Sequence, residues 1–385
     1  MELKGRRYDN SEPVCIQVEG GRIASVTPIT PEEDVSQWPY IAPGLFDLQI
    51  NGFGGVWFSK LGLTADEVIQ TLEPHFKFGI TRMCPTLITN SHEALLSGFS
   101  ALRGACEREE WVDAMVPGFH LEGPFISKED GPRGAHPLKQ VRPADWEEFR
   151  VLQEAAGGRI CLVTLAAESE GAVEFIKHAV EADITISIGH TAAEPEQIAA
   201  AVDAGATLST HLGNGAHGQI RRHPNYIWEQ LGDSRLYASI ISDGHHLPAS
   251  VVRSFIQTKS TMRTIITCDA SGLAGCPPGV YTLDSGNVEV LEDGNIVIAG
   301  QRQLLAGSGS ATHSCVANAI EMAGVSLQQA FDMAGQNPSH LLGFEVVRLQ
   351  RGSRADLVLF HYDGPGSKLD VVRTVSAGVE RFNAV

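Results

Sequence analysis

Four residues capable of hydrolytic chemistry stand at the ends of short β-branched runs. Glu122 closes Gly118-Phe-His-Leu-Glu, His190 closes Ile184-Thr-Ile-Ser-Ile-Gly-His, His211 closes Ala206-Thr-Leu-Ser-Thr-His, and Asp269 follows Arg263-Thr-Ile-Ile-Thr-Cys. One carboxylate and two imidazoles suit a divalent cation such as zinc, held by three ligands with a position left for water. A further carboxylate, Asp269, beside a water so activated can take its proton and later pass it to a leaving amine. Each also has a plainer reading: an ordinary polar loop residue for the three donors, and a helix N-cap for Asp269. Asp243 repeats the pattern after Leu236-Tyr-Ala-Ser-Ile-Ile-Ser. Recurrence at the ends of successive strands points to an enzyme, because a barrel of parallel strands gathers all its strand C-termini at one mouth.

The elements needed to position these groups are visible as a regular alternation. Apolar runs near 45–50, 80–84, 116–122, 160–166, 184–189, 206–211, 236–242 and 263–269 give eight candidate strands. Their near-continuous apolar character predicts a closed parallel barrel. Helices are signalled by Thr64-x-x-Glu67 with a stop at Gly79, by Asp145 to Gly157, by Thr191-x-x-Glu194 with Pro195, and by Pro248. Residues 1 to about 42 and the last forty read as short strands around Gly-rich turns, predicting one small β domain built from both ends. Domain bounds of 1–42, 43–344 and 345–385 follow. The 282–306 region, with turn signals at Asp284-Ser-Gly and Glu292-Asp-Gly-Asn, predicts a β-hairpin insertion after the eighth strand.

Composition narrows the partners. The chain has 385 residues, 43% of them hydrophobic, and a formal charge of −17, which argues against a nucleic-acid surface. Seven scattered cysteines without a CxxC pair fit reduced thiols. No run approaches the length of a membrane span, and Met1-Glu-Leu-Lys-Gly-Arg-Arg lacks an apolar leader, so a cytoplasmic protein without membrane partners is expected. Gly213-Asn-Gly-Ala-His217 with Arg221-Arg-His223 is a locally basic loop that can hold a sugar hydroxyl and a phosphate, or simply carry solvated charge. Asp243-Gly-His-His246 offers a histidine to substrate or caps the helix at Pro248, and His136 lies on a Gly/Pro-rich loop suited to covering a site. Asn51-Gly-Phe-Gly-Gly reads as a tight connection whose small residues leave room, not as a phosphate loop.

As a set, Ala42-Pro-Gly-Leu-Phe-Asp-Leu-Gln-Ile-Asn-Gly, His120-Leu-Glu-Gly-Pro-Phe, Gly189-His-Thr, Thr210-His-Leu-Gly-Asn, Ser242-Asp-Gly-His-His and Cys268-Asp-Ala resemble the N-acetylglucosamine-6-phosphate deacetylases of the amidohydrolase superfamily. The resemblance runs in order from about residue 40 to 310, and Gly352-Ser-Arg-Ala-Asp-Leu-Val extends it. It implies an α/β fold, a (β/α)8 TIM-type barrel with a small β-sandwich domain formed from both chain termini. It implies that Glu122, His190 and His211 bind one divalent metal ion, zinc first and iron or another divalent ion as alternatives, with Asp269 as proton shuttle. It places Ala135, His136, Asn214, Gly215, Arg222, Asp243, His246, Leu305, Ala306 and Gly307 around the substrate, and Arg222 on the phosphate across a homodimer interface; in the expected mechanism His246 stands beside the oxyanion.

Three departures shape this reading. Gln49-Ile-Asn51 stands where many amidohydrolases carry His-x-His, which favours one metal over two. Gly-Asn-Gly-Ala-His after Leu212, and Arg221-Arg-His-Pro-Asn-Tyr-Ile-Trp, both differ from the family's usual continuations and bear on substrate recognition. The expected activity is removal of acetyl from N-acetylglucosamine 6-phosphate. The same chemistry on a galactosamine-type or unphosphorylated N-acyl amino sugar, or a non-catalytic sugar-binding barrel, stands as the alternative.

Overall fold

The computed structural model describes residues 1–30, 34–283 and 286–384. Eight parallel strands follow one another around a nearly closed barrel: β1 (Leu45–Ile50), β2 (Ile80–Ile88), β3 (Phe119–Glu122), β4 (Ile160–Leu165), β5 (Thr185–Ile188), β6 (Leu208–Ser209), β7 (Tyr237–Ile241) and β8 (Thr264–Thr267). Every residue of β1, β3 and β8 is buried, as expected of strands covered on both faces. The ring is joined across β8 and β1 by the Asn51 amide donating to the Ala270 carbonyl at 2.9 Å and by a parallel bridge between Ile50 and Ala270.

The barrel interior is layered with the period of two that strands impose. Leu48, Leu162, Leu208 and Ile265 form one apolar cluster. Two residues further along β4, β6 and β8 stand Thr164, Thr210 and Thr267, all buried hydroxyls. Thr164 bonds the His120 imidazole at 2.8 Å and the Thr210 hydroxyl at 2.7 Å. Along β3 and after β8, the next step of two reaches Glu122 and Asp269, so the polar layer leads directly to the mouth.

Helices coat the outside. The Thr64 capping box precedes the helix Ala65–Leu72, and the following turn ends at Gly79 in the left-handed region, where a side chain would strike Val358. Asp145 caps Trp146–Ala155 through the Glu148 amide. The expected cap at Thr191 is not used. The helix Pro195–Asp203 is capped by Glu194, which pairs reciprocally with Gln197, while the Thr191 hydroxyl turns inward to Glu168.

Both chain ends contribute to one seven-stranded sheet, in the order Val379–Asn383, Asp370–Ser376, Leu357–His361, Tyr40–Pro43, Glu2–Arg7, Pro13–Glu19, Arg22–Pro28. All neighbours are antiparallel except Glu2–Arg7 and Tyr40–Pro43, and Pro13–Glu19 alternates buried with half-buried positions. The insertion after β8 is larger than a hairpin. It is a four-stranded antiparallel sheet over Gly279–Leu283, Gly286–Val290, Ile296–Ile298 and Gln301–Leu305, with a small core of Leu273, Val288, Val290, Ile296 and Ala306. Of its turn signals, Asp284 and Ser285 lie outside the described residues. All seven cysteines are free, and among the described residues no helix is long and apolar enough to cross a membrane.

Candidate active site

At the barrel mouth the chain adopts conformations that only a fixed arrangement can justify. His190, His211 and Asp269, each just beyond its strand, have φ of 50°, 29° and 51°. Non-glycine residues rarely enter this region, at a cost of about 1–3 kcal/mol each. These turns swing side chains from separate strands onto one point. Glu122 Oε1 lies 3.2 Å from His190 Nε2 and 3.0 Å from His211 Nε2, and the two imidazole nitrogens are 3.1 Å apart.

The triangle has the donor chemistry of a candidate cation site. His190 donates from Nδ1 to the Pro132 carbonyl at 2.8 Å, so in the neutral ring its Nε2 lone pair faces the Glu122 carboxylate and the His211 nitrogen. Acceptors converging without enough protons between them repel, and a divalent ion removes that repulsion. Buried Gln49 Oε1 and Asn51 Oδ1, whose amide nitrogens bond Asp269, have no hydrogen-bond partner, which leaves further polar capacity beside the triangle. Burial opposes the Glu122 charge, yet the imidazoles bonded to it hold the carboxyl well below its usual range. His136 adds a second set: its ring, with Glu122 and His190, offers donor atoms all within 4.8 Å of one another. The triangle with His211 is the tighter of the two, so His211 is taken as the third ligand and His136 as a neighbour on the shared edge.

Asp269 does not cap a helix; its carboxylate faces the triangle. Oδ1 accepts from Asn51 Nδ2 at 2.7 Å and from Gln49 Nε2 at 3.1 Å, and the same Gln49 nitrogen donates to Glu122 Oε1 at 2.8 Å. Burial, and then the nearby Glu122 charge, push the Asp269 carboxyl up to about 6. Beneath it Asp47, fully buried, accepts from the Gln49 and Cys268 amides at 2.9 Å each and from the Thr267 and Thr312 hydroxyls. That carboxylate braces the backbone on both sides of the ring closure.

The remaining predicted residues fall into two groups. Asp243 is turned inward: it accepts from the His246 ring at 2.8 Å, the Ser308 hydroxyl at 2.9 Å and the amides of His245 and His246. Burial opposes its charge, but these bonds outweigh it and hold the carboxyl well below normal. Asp243 therefore orients His246. Gly307 packs against Asp269 and Ser271, and the Ser308 amide donates to the Asp269 carbonyl at 2.9 Å, which brings Leu305-Ala306-Gly307 to the edge of the site.

Two loops cover the opening. Gly215 lies so close to His190 that a side chain would meet its ring at 2.8 Å; His136 is buried with its Nδ1 2.7 Å from the Thr89 hydroxyl, while Ala135 beside it is exposed. Burial pushes the His136 imidazole down to about 3. Asn214 bonds back to the His211 carbonyl. His217 clasps the loops together through Glu129 at 3.1 Å and Tyr226 at 3.0 Å. A cavity of about 10 Å³ remains beside His190, Asn214 and Tyr226, room for roughly one water. Arg222 is exposed and not part of this cluster within one chain. A roomier cavity of about 480 Å³ lies elsewhere, lined by Arg6, Tyr8, Tyr40 and Tyr362 of the terminal sheet.

Sequence reasoning missed the roles of Gln49 and Asn51, whose spacing of two at a strand end put both amides on one face. Thr89, the Pro132 carbonyl and Ser308 left no local signal. The Asn51–Gly55 connection is a two-stranded hairpin, Gly52–Phe53 with Val56–Trp57, tied to the loop after β8.

Residues 40–381 match the model of the amidohydrolase family. Among curated relatives, an N-acetylgalactosamine-6-phosphate deacetylase of Escherichia coli O157:H7 is 30% identical, covering 89% of each chain. An N-acetylglucosamine-6-phosphate deacetylase of Mus musculus is 32% identical, covering 83% of this chain and 79% of its own. A mutant N-acetyl-D-glucosamine-6-phosphate deacetylase from Mycobacterium smegmatis, solved in complex with N-acetyl-D-glucosamine-6-phosphate, superimposes with a TM-score of 0.87 at 29% identity, covering 99% of this chain and 100% of its own.

Proposed function

The chain belongs to the amidohydrolase family and is an amide hydrolase of the deacetylase type, and on that premise we propose that it removes the acetyl group of N-acetylglucosamine 6-phosphate. The observation that carries this reading is the Gln49 amide bonded at once to Glu122 and Asp269, which holds a proton-accepting carboxylate beside the three-donor triangle. Glu122, His190 and His211 would hold one divalent ion, zinc by the nitrogen and carboxylate donor set. Such an ion supplies Lewis acidity, polarising an amide oxygen and lowering the pKa of water to about 7.

The chain's own groups do the rest. Asp269 takes a proton from the attacking water and returns it to the amine nitrogen as the C–N bond breaks. Asn51 and Gln49 keep its Oδ1 in place, leaving Oδ2 for the proton. His246, oriented by Asp243, presents its free Nε2 to the tetrahedral oxyanion. Ala135, His136, Asn214, Gly215 and Leu305 to Gly307 surround the sugar. Arg222 meets the phosphate of a substrate bound in the second subunit of a homodimer, in keeping with its exposed position on a mouth loop.

The galactosamine-type substrate is the second reading, favoured by the Escherichia coli relative at comparable identity. Acetate release from phosphorylated and unphosphorylated N-acetylglucosamine and N-acetylgalactosamine, with metal content measured on the same samples, separates these cases. The glucosamine 6-phosphate is expected to be the best substrate. A higher kcat/KM on the galactosamine epimer would select the second reading, and acetate from none would reduce the barrel to a sugar-binding module.

A further inference from the structure

We propose that His136 is a resting-state ligand carried on the covering loop: with the site free of substrate, its Nε2 takes the open position of the ion held by Glu122, His190 and His211, and substrate displaces it. The inference rests on the proposed cation site and adds to it a residue that the sequence reading assigned to the sugar alone. Two observations support it. The His136 ring contributes a donor atom within 4.8 Å of those of Glu122 and His190, all three residues being buried. Two ligands of one zinc ion, each about 2.1 Å from it, lie at most about 4.2 Å apart, so a shift of the loop toward Glu122, His190 and His211 brings the His136 ring into the coordination sphere. The His136 and His190 rings stand edge to face with centroids 4.3 Å apart.

The outer contacts are those of a ligating histidine. His136 Nδ1 is 2.7 Å from the Thr89 hydroxyl, which leaves Nε2 as the ring atom free to ligate. His190 is held in the equivalent way by the Pro132 carbonyl at 2.8 Å, four residues before His136 on the same loop. One loop therefore fixes the orientation of an existing ligand and delivers another. Gly134 of that loop and Gly215 both lie against the His190 ring, so the ring is held between the two mouth loops. Displacement of His136 Nε2 by substrate frees the coordination position and leaves the ring beside the sugar.

The test is done on the full chain loaded with Co²⁺ or Zn²⁺ and read without turnover. His136→Ala and His136→Gln should each weaken cation binding about tenfold or more in chelator competition. They should also change the visible d–d spectrum of the Co²⁺ protein, and adding the product amino-sugar phosphate to the unsubstituted protein should shift its spectrum toward that of the variants. Far-UV circular dichroism of the metal-free proteins checks that each variant is folded, and having two variants guards against one that is not. Unchanged affinity and spectrum in both variants, with only KM altered, would overturn the proposal and return His136 to sugar binding. His211→Ala distinguishes the two layers: if it too leaves affinity unchanged, the underlying cation site is wrong, whereas loss in His211→Ala alone condemns only the His136 role.

Discussion

The barrel mouth and the terminal sheet are built from the same residue types but solve opposite problems. In the sheet, Pro13–Glu19 alternates buried and half-buried residues, and the left-handed conformations at Ser11 and Ala377 fall outside the strands, in the connections. Its buried carboxylate, Asp356, meets Arg354 at 2.8 Å and the Ala377 amide at 2.7 Å. At the mouth, left-handed backbone falls on His190, His211 and Asp269, the residues proposed to carry the chemistry, and buried amide oxygens of Gln49 and Asn51 are left without partners. The sheet sets its buried carboxylate against a guanidinium of the same chain. The mouth leaves buried amide oxygens that an ion and a substrate are proposed to complete.

Substitutions at the two places should therefore separate activity from stability. Asp269→Asn is expected to lower kcat by about 10²–10⁴ while retaining cation and leaving Tm undiminished, because the native carboxylate is buried beside another charge. Wild-type-like turnover in that variant would end the assigned role. Ile16→Ala, fully buried in the terminal sheet, should do the reverse: a loss of about 2–5 kcal/mol in denaturant unfolding with kcat unchanged. A fall in kcat without loss of stability would erase the contrast drawn here. Arg222→Ala should have the smallest effect, raising KM roughly tenfold to a hundredfold for the phosphorylated substrate only. An equal rise for the unphosphorylated sugar would mean that the guanidinium does not read the phosphate.

Much of the architecture was legible because it is written in local pattern. The eight strands fall within a few residues of their apolar runs, and the caps at Thr64 and Asp145 behave as their spacing predicts. Where the pattern misled, a distant partner had intervened. Thr191 has the form of a cap but is drawn to Glu168, and the insertion's third strand, Ile296–Ile298, was hidden by its short length. At the site, residue types at strand ends were enough to nominate Glu122, His190, His211 and Asp269. Gln49 and Asn51 were noticed for the imidazoles they replace, whereas their bonds to Asp269 span 220 and 218 positions. Hydrogen bonds of that reach leave no periodicity to read.

The order of strands in the terminal sheet has a consequence for how the protein is made. Tyr40–Pro43 emerges early from the ribosome, but its neighbour Leu357–His361 is synthesised only after the entire barrel. Until then, one flank of that strand offers unpaired amides and carbonyls to any passing chain. Pairing across these two strands therefore has to wait for the end of synthesis, and nascent chains stalled before residue 357 are expected to leave that edge open to aggregation.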